Sequence, residues 1–294
     1  MNLSSYKKGV LMLIGSAFAF SLMSLFVRLS GDLPSAQKAF FRNFIAAIAA
    51  AIMIIKNGER VEIKKGDLPY LLIRSFFGTT GVLLNFYAID KLMLADANIL
   101  NKMSPFFAVL ASAVFLREKT KPYQYAAVIT ALIGSIFIIK PSFSNVALFP
   151  AIAGLLGGLA AGLAYTTVRY LGQRGVKGPV IVLFFSTFSS VVLLPLMIAN
   201  YKPMSFYQMA MLIGAGVSAT FGQFLVTGAY IHAPANEISI FDYTTIVFST
   251  VWGLIFFNQI PDIFSFMGYA IIFGAAFYNF RRKLKENQKI ETAK

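Results

Sequence analysis

Long apolar runs separated by short polar segments make up most of this chain. A helix needs about 20 mainly apolar residues to cross the roughly 30 Å hydrocarbon core of a bilayer, and ten runs come close to that length. Several of the polar segments contain Pro or Gly, which is typical of turns. The pattern therefore predicts an all-α membrane protein with ten transmembrane helices, at about residues 9–29, 36–55, 69–89, 94–116, 123–139, 149–171, 179–199, 206–231, 235–257 and 263–280.

Composition supports a membrane location. Of the 294 residues, 57% are hydrophobic and 13% are charged, about half of the roughly 25% charged residues that soluble domains carry. The first apolar run follows Lys7 and Lys8 as in a signal peptide, but it is too long for one and lacks a clear cleavage site. The net charge of +14 does not favour nucleic-acid binding, because the basic residues lie in short segments between apolar runs.

Lysine and arginine are distributed unevenly between alternate connections. If both chain ends lie inside, 17 of the 26 Lys and Arg residues fall in inner segments, whereas the outer connections contain Lys91, Lys140 and Lys202. The positive-inside rule then predicts N-in/C-in topology. The expected location is the cell membrane, as a multi-pass protein of the bacterial inner or plasma membrane. Residues 281–294 are expected to form a frayed, basic cytoplasmic tail.

The chain resembles itself when it is shifted by 141 residues. Val27-Arg28 then meets Val168-Arg169, and Thr79 and Gly81 meet Thr220 and Gly222. We expect a first five-helix repeat at 1–143 and a second at 144–280. Because five is odd, the second repeat must enter the membrane in the opposite direction. Inverted repeats of this kind are typical of secondary transporters, although a duplication retained only for packing remains an alternative.

Several short stretches resemble a known family. They are Phe40-Phe41-Arg42-Asn43, Asn85-Phe86-Tyr87-Ala88-Ile89, Leu94-Ala95-Asp96-Ala97, Ser104-Pro105-Phe106 and Phe115-Leu116-Arg117-Glu118. This pattern is similar to the EamA family of the drug/metabolite transporter superfamily, and most of all to its solute carrier 35G-like and riboflavin-transporter-like branch. The resemblance covers nearly the whole chain.

The resemblance implies ten helices in two inverted repeats, around a central cavity lined mainly by helices 1, 3, 4, 6, 8 and 9. The second half departs from the family pattern, with Thr245-Ile246 where a Pro is usual and Gln259 where a Glu is usual. The family's substrates include amino acids, nucleotide derivatives, vitamins and drugs, so the resemblance does not name one.

Six ionisable residues are candidates for charges that the predicted spans carry into the membrane. Such groups are costly in lipid and usually face a cavity or a partner. Counting along the helices places Arg42, Lys102 and Asp96 in an outer layer, and Arg74, Asp242 and Glu237 in an inner layer. Simple pairing is one interpretation: Asp96 with Arg42 or Lys102, and Asp242 with Arg74. The functional alternative is that Arg42 and Lys102 bind an anionic substrate group, while Asp242 or Glu237 couples transport to protons.

The fourth predicted helix presents polar residues on one face, since Asn98, Asn101, Lys102 and Pro105 recur at steps of three and four. Pro105 lacks a backbone N–H and weakens the helix one turn upstream. The carbonyl freed there could serve a ligand, or the proline could produce an ordinary kink.

Two sets of candidates result. The candidates for substrate binding are Arg42, Lys102, Asn98, Asn101, Tyr87, Ser24, Tyr165, Gln223, Asp242, Tyr243 and Trp252. The candidates for coupling or gating are Asp242, Glu237, Asp96, Arg74 and Pro105. An aromatic residue in such a chain more often packs or anchors at the interface than binds ligand.

The function predicted from these features is secondary transport of a small polar organic metabolite by alternating access. A lipid flippase on the same fold is the main alternative. The sequence is less consistent with an enzyme or a channel, since the chain has no Cys, one His and no recognisable catalytic motif or selectivity ring. We expect no cofactor and no metal. The expected partners are a solute and the bilayer, with protons as a candidate coupling ion and a monomer or homodimer both open.

Overall fold

The computed structural model describes residues 3–58, 61, 63–115, 121–139, 147–232 and 239–292. Within these ranges every regular element is helical. The elements are α1 Leu3–Leu29, α2 Ser35–Lys56, α3 Leu68–Lys91, α4 Leu94–Asn101, α5 Ser104–Phe115, α6 Pro122–Ile139, α7 Leu148–Gln173, α8 Gly178–Ala199, α9 Phe206–His232, a 3₁₀ helix Ser239–Tyr243, α10 Thr244–Phe257 and α11 Ile263–Thr292.

Nine helices in the described part of the chain are long and apolar enough to cross a membrane, with Leu94–Phe115 taken as one span. A further apolar helix, Phe241–Phe257, is shorter. The predicted spans agree with these helices to within a few residues at most ends. Two ends differ: α1 begins at Leu3, and α11 continues to Thr292. The prediction of a frayed tail is therefore wrong through Thr292, because Arg, Lys, Leu, Glu and Gln all favour a helix.

Proline and glycine define several helix ends. Pro69 and Pro179 stand in the first turns of α3 and α8, where a missing N–H costs nothing. Gly31, Gly58 and Gly175 follow α1, α2 and α7 with positive φ angles of 69°, 61° and 84°. This left-handed conformation ends a helix with least strain at glycine. The local sequence therefore determines where these spans stop.

The two halves pack against each other in a reciprocal pattern. The helix α1 packs on α9 and α3 packs on α7, and these two pairs exchange when the halves are exchanged. Three further pairs each map onto themselves: α2 with α8, α6 with α11, and α4 with α10. Other pairs exchange, α2–α9 with α3–α8 and α5–α7 with α1–α10. Reciprocal contacts are the pattern that a two-fold relation between similar units produces.

One pair of close contacts shows the same register in both halves. Ser16 Oγ donates to the Gly222 carbonyl oxygen at 2.8 Å between α1 and α9. Shifted by 141 residues, the corresponding positions are Gly157 and Gly81, and a β-carbon at Gly81 would lie 3.2 Å from the Gly157 carbonyl oxygen. Small residues let membrane helices approach this closely. The offset read from the sequence thus holds for α1/α7 and α3/α9.

The interior and the outer surface of the bundle are both apolar. Buried residues such as Phe86, Leu100 and Met103 belong to the largest core cluster. Large side chains also point outward, among them Ile55 and Phe206. Such a surface suits lipid and would not suit water. The polar groups described below are therefore exceptions within an apolar protein.

Candidate functional site

Both the fourth span and its counterpart in the second half change conformation part-way along. The helix α4 ends at Asn101 and α5 begins at Ser104, which confirms the weakening predicted from Pro105. In the second half, the 3₁₀ helix ends at Tyr243 and α10 begins at Thr244. At an offset of 141 residues, Met103 corresponds to Thr244. The two halves therefore interrupt a span at equivalent points, as is common at transporter binding sites.

The two interruptions meet in a cluster of Lys102, Asp242 and Tyr243, here called the crossing. Lys102 Nζ lies 2.6 Å from Asp242 Oδ2, and these side chains are only 13% and 20% exposed. The Tyr243 hydroxyl donates to the Lys102 carbonyl oxygen at 3.2 Å. Lys102 and Tyr243 correspond at the 141-residue offset. Contact between counterparts is expected where a two-fold relation joins similar units.

The crossing corrects the predicted charge layers. Lys102 and Asp242 were assigned to different layers, but the breaks in both spans bring their side chains together. Asp242 is thus paired with Lys102 and not with Arg74. Asp96 accepts a hydrogen bond from the Tyr269 hydroxyl at 2.6 Å. No ion pair within the described chain joins Asp96 to Arg42 or to Lys102, so the predicted pairings of Asp96 are wrong.

Asn98 holds three helices together. Its Oδ1 accepts a hydrogen bond from Ser24 Oγ at 3.0 Å, and its Nδ2 donates to Ser249 Oγ at 3.0 Å and to the Leu94 carbonyl at 2.9 Å. All three side chains are buried. This network links α1, α4 and α10. The predicted substrate-binding role of Asn98 and Ser24 stays a prediction, and in this structure both side chains bond within the protein.

A second polar cluster surrounds the ring of Phe185. The guanidinium carbon of Arg74 lies 3.8 Å from the ring centroid, and that of Arg42 lies 5.8 Å from it. Both arginines line a small recess with a volume of about 10 Å³. Its lining, here called the arginine recess, consists of Arg42, Ala46, Arg74, Val182, Phe185, Ser186, Ala219, Thr220, Gln223 and Phe224.

The arginine recess also contradicts the layers predicted for Arg42 and Arg74. The sequence placed them in the outer and inner thirds of the membrane, yet both contact the same ring. Depth counted along a helix does not include the long arginine side chain, which spans the difference. The recess is bounded by α2, α3, α8 and α9. It thus shares only the third and eighth spans with the cavity that the family resemblance implied.

The two guanidinium groups lie in a desolvated environment. Arg42 is 8% exposed and Arg74 is 7% exposed. Arg42 Nη1 donates to Asn43 Oδ1 at 2.5 Å, and neither arginine forms an ion pair with a carboxylate of the described residues. Tyr165 is near enough to interact electrostatically with both. The recess therefore concentrates positive charge, which favours the approach of a negatively charged group.

The remaining candidates lie apart from these clusters. Tyr87 packs edge-on against Phe149, with ring centroids 5.9 Å apart. Trp252 Nε1 donates to Ser21 Oγ at 3.0 Å. Asn101 is half-buried and Pro105 is exposed. The Asn101 carbonyl that was predicted to be free faces Gly158, where a β-carbon would lie 3.2 Å away from its oxygen.

Some predictions fall outside the described residues, and some site residues were not predicted. Glu237 and the stretch Leu116-Arg117-Glu118 lie outside the described ranges. Sequence reasoning found Arg42, Arg74, Gln223 and Tyr165, but it missed Phe185 and its neighbours. Nothing in an apolar run distinguishes one Phe from the 29 others. Only packing shows which ring lies between two guanidinium groups.

Comparison with known proteins agrees with this architecture. Residues 7–140 and 148–281 each match the EamA-like transporter family. The chain is 33% identical over 275 residues to the pseudopaline exporter CntI of Pseudomonas aeruginosa, covering 92% of this chain and 95% of that protein. It is 25% identical over 283 residues to the riboflavin transporter of Brucella anthropi, covering 92% and 97%.

More distant matches extend to eukaryotes and to solved structures. Human solute carrier family 35 member G1 is 25% identical over 260 residues, covering 84% of this chain and 71% of that protein. A crystal structure superimposes with a TM-score of 0.66 over 92% of this chain and 96% of its own, at 16% identity, and so shares the fold alone. With both halves matched, this multi-pass membrane protein belongs to the EamA-like transporter family.

Proposed function

We propose that the protein is a secondary transporter that moves a small polar organic metabolite by alternating access between two inverted repeats. The observation that carries the proposal is the crossing, where interrupted spans of the two halves meet through Lys102, Asp242 and Tyr243. In this proposal, Phe241–Phe257 belongs to a tenth span. Both chain ends then lie on the inner side of a cell membrane.

Contacts at the two ends of the bundle suggest which surfaces separate. At one end α3 contacts α7, where the rings of Tyr70 and Tyr170 are 4.4 Å apart. At the other end α1 contacts α9, where Gln208 Nε2 donates to the Ser30 carbonyl at 3.1 Å. These helix pairs exchange when the halves exchange. Opening them in turn would expose the centre to one side at a time.

Cross-linking the two ends tests alternating access. The native chain has no Cys, so introduced cysteines are the only thiols. One variant carries Tyr70→Cys and Tyr170→Cys, and another carries Ser30→Cys and Gln208→Cys. Counterflow in proteoliposomes is measured with a panel of radiolabelled metabolites that includes riboflavin, amino acids and organic acids. We expect a short bismaleimide to abolish saturable counterflow in each double variant.

The single-cysteine variants treated with the same reagent are the matched controls, and they should retain transport. Full counterflow in both cross-linked double variants would contradict alternating access at these ends. The solute-transport proposal would be wrong if the protein moved fluorescent phospholipid between leaflets but transported none of the soluble metabolites in the panel. The panel includes riboflavin because one relative of this chain is named as a riboflavin transporter.

A further inference from the structure

We infer that the arginine recess binds the anionic group, a carboxylate or a phosphate, of the transported solute. The inference rests on the proposed transport function and assigns a substrate class to it. Arg42 and Arg74 approach one aromatic ring from two helices, at 5.8 and 3.8 Å from its centroid. Two cations held this close together repel each other unless an anion lies between or beside them.

The hydrogen bonding of the two arginine side chains also supports an anion site. Both are more than nine-tenths buried. Nε of Arg42, and Nε and Nη1 of Arg74, are buried with no hydrogen-bond partner in the described protein. Unpaired buried donors on a charged group are costly. A guanidinium offers a planar fork of donors that matches the two oxygens of a carboxylate or phosphate.

The repeat supplies an internal comparison. Helices α8 and α9, the second-half counterparts of α2 and α3, contain no Lys or Arg. At the offset that the Gly81 and Gly222 contacts support, Arg74 corresponds to Ala215, a buried core residue. The second half therefore builds the same helices without either cation. Helix packing alone does not require the arginines, which favours a role in binding a ligand.

Lys102 is a poorer candidate for the same anion. The sequence assigned that role to Arg42 together with Lys102, but Lys102 is already paired with Asp242 at 2.6 Å. A carboxylate at that distance attracts the ammonium group strongly, and a solute anion would have to compete with it. The geometry thus replaces Lys102 with Arg74 as the partner of Arg42.

The rest of the lining limits what the anion can be attached to. Phe185, Ala219 and Phe224 supply apolar surface, and Ser186 and Gln223 supply polar groups. Ser186 Oγ is buried with no hydrogen-bond partner in the described protein. The recess itself has a volume of about 10 Å³, enough for about one water molecule, so an anionic group would enter it only as the lining side chains move apart. The chemical character of the lining suits the anionic end of a small organic solute with an apolar portion.

Gly78 provides the space that the arginine uses. A β-carbon at Gly78 would overlap Arg74 Nη1 and would lie 2.8 Å from Phe185 Cε2. The glycine one turn after Arg74 thus leaves room for the guanidinium beside the ring. Gly78→Ala should therefore displace the guanidinium without removing its charge.

Ligand-dependent thermal stability of the purified full-length protein tests the inference. The protein is placed in nanodiscs of phosphatidylcholine, and the probes are inorganic phosphate, succinate and neutral succinamide at equal ionic strength. We expect phosphate and succinate to raise the unfolding temperature and succinamide to leave it unchanged. In Arg42→Met and in Arg74→Met, the apparent affinity for the anions should fall about tenfold or more, as expected for a lost charged hydrogen bond.

Two further variants separate binding from folding. Arg74→Lys keeps the charge and should retain a weakened anion response. Arg281→Met removes an exposed cation and should retain the full response. Without ligand, the Arg42→Met and Arg74→Met proteins should unfold at the same or a higher temperature than the parent, because each variant removes a buried charge that has no anionic partner among the described residues. A cation that served only the fold would give a lower temperature.

An unchanged anion response in Arg42→Met and Arg74→Met would overturn the inference. A second outcome would also overturn it: phosphatidylglycerol nanodiscs stabilise the protein in an arginine-dependent way, and soluble anions do not. The bound phosphate would then belong to a lipid headgroup. The two proposals also fail separately. Counterflow confined to neutral solutes would refute the anion site and leave transport intact. Anion binding without any counterflow would refute transport and leave the recess as an anion site.

Discussion

The ion pair between Lys102 and Asp242 should behave as one energetic unit that joins the two halves. The perturbations are Lys102→Met, Asp242→Asn and the double variant. Removing one partner of a buried ion pair leaves an uncompensated charge and costs about 3–5 kcal/mol. Because these side chains are 13% and 20% exposed, we expect the low end, about 3 kcal/mol for each single variant.

The double variant should lose clearly less than the sum of the two single losses. The gross attraction at 2.6 Å is about 6 kcal/mol at an effective dielectric constant of 20, and desolvation of both ions offsets most of it. A coupling free energy of about 2–3 kcal/mol is then expected. For a protein of this size, 1 kcal/mol shifts the unfolding temperature by about 2–4 °C. Each single variant should therefore unfold about 6–12 °C lower. The double variant should lose about 3–4 kcal/mol, close to the loss of one single variant and well short of the additive loss of about 6 kcal/mol.

Intrinsic fluorescence provides the assay. The chain has a single tryptophan, Trp252, in the helix that begins two residues after Asp242. Lys202→Met is the matched control, since Lys202 is exposed and bonds only the Asp32 carbonyl through Nζ at 3.1 Å. Its unfolding temperature should stay within about 2 °C of the parent. If the two single losses simply add in the double variant, the two residues are not coupled and the reasoning fails.

Two further predictions concern helix packing. Gly162→Ala should cost about 1–3 kcal/mol of stability, because a β-carbon there would lie 2.7 Å from the Ser104 carbonyl oxygen. Gly172→Ala should cost nothing, because no neighbouring packed atom lies within 4 Å of a β-carbon at that position. Fluorescence-detected size exclusion after heating measures both, and equal losses would contradict the packing argument. Asn98→Ala should cost about 1–2 kcal/mol, since it removes bonds to two other helices. The control Asn200→Ala removes only a bond within its own helix, and an equal effect in the same assay would show that the Asn98 network is dispensable.

The arginine recess and the crossing are neighbouring parts of one interior. Lys102 Nζ lies 5.9 Å from the centroid of the Phe20 ring. The same ring packs against Gly222, which is adjacent in sequence to Gln223 of the recess. Phe20 thus lies between Lys102 of the crossing and the helix turn that carries Gln223 of the recess. This arrangement offers a physical route by which solute binding would bias the contact between the halves.

Much of the fold follows from the sequence by itself. Apolar runs of about 20 residues locate the spans because backbone groups in lipid must bond within a helix. Glycines with positive φ, such as Gly31, mark where helices end. The 141-residue shift identified the repeat, and Pro105 identified the interruption of the fourth span. These features depend on residues that are close in the chain, so local physics determines them.

The partners of the charged side chains were decided only by the tertiary structure. Counting residues along straight helices separated Arg42 from Arg74 and Lys102 from Asp242, and both separations were wrong. The count does not include the interruptions of two spans, the length of arginine and lysine side chains, or which helix lies alongside. The position of each charged group depends on how its helix packs against its neighbours, as α2, α3, α8 and α9 do around the two arginines. A sequence shows which residues carry charge into the membrane, and packing determines which of them meet.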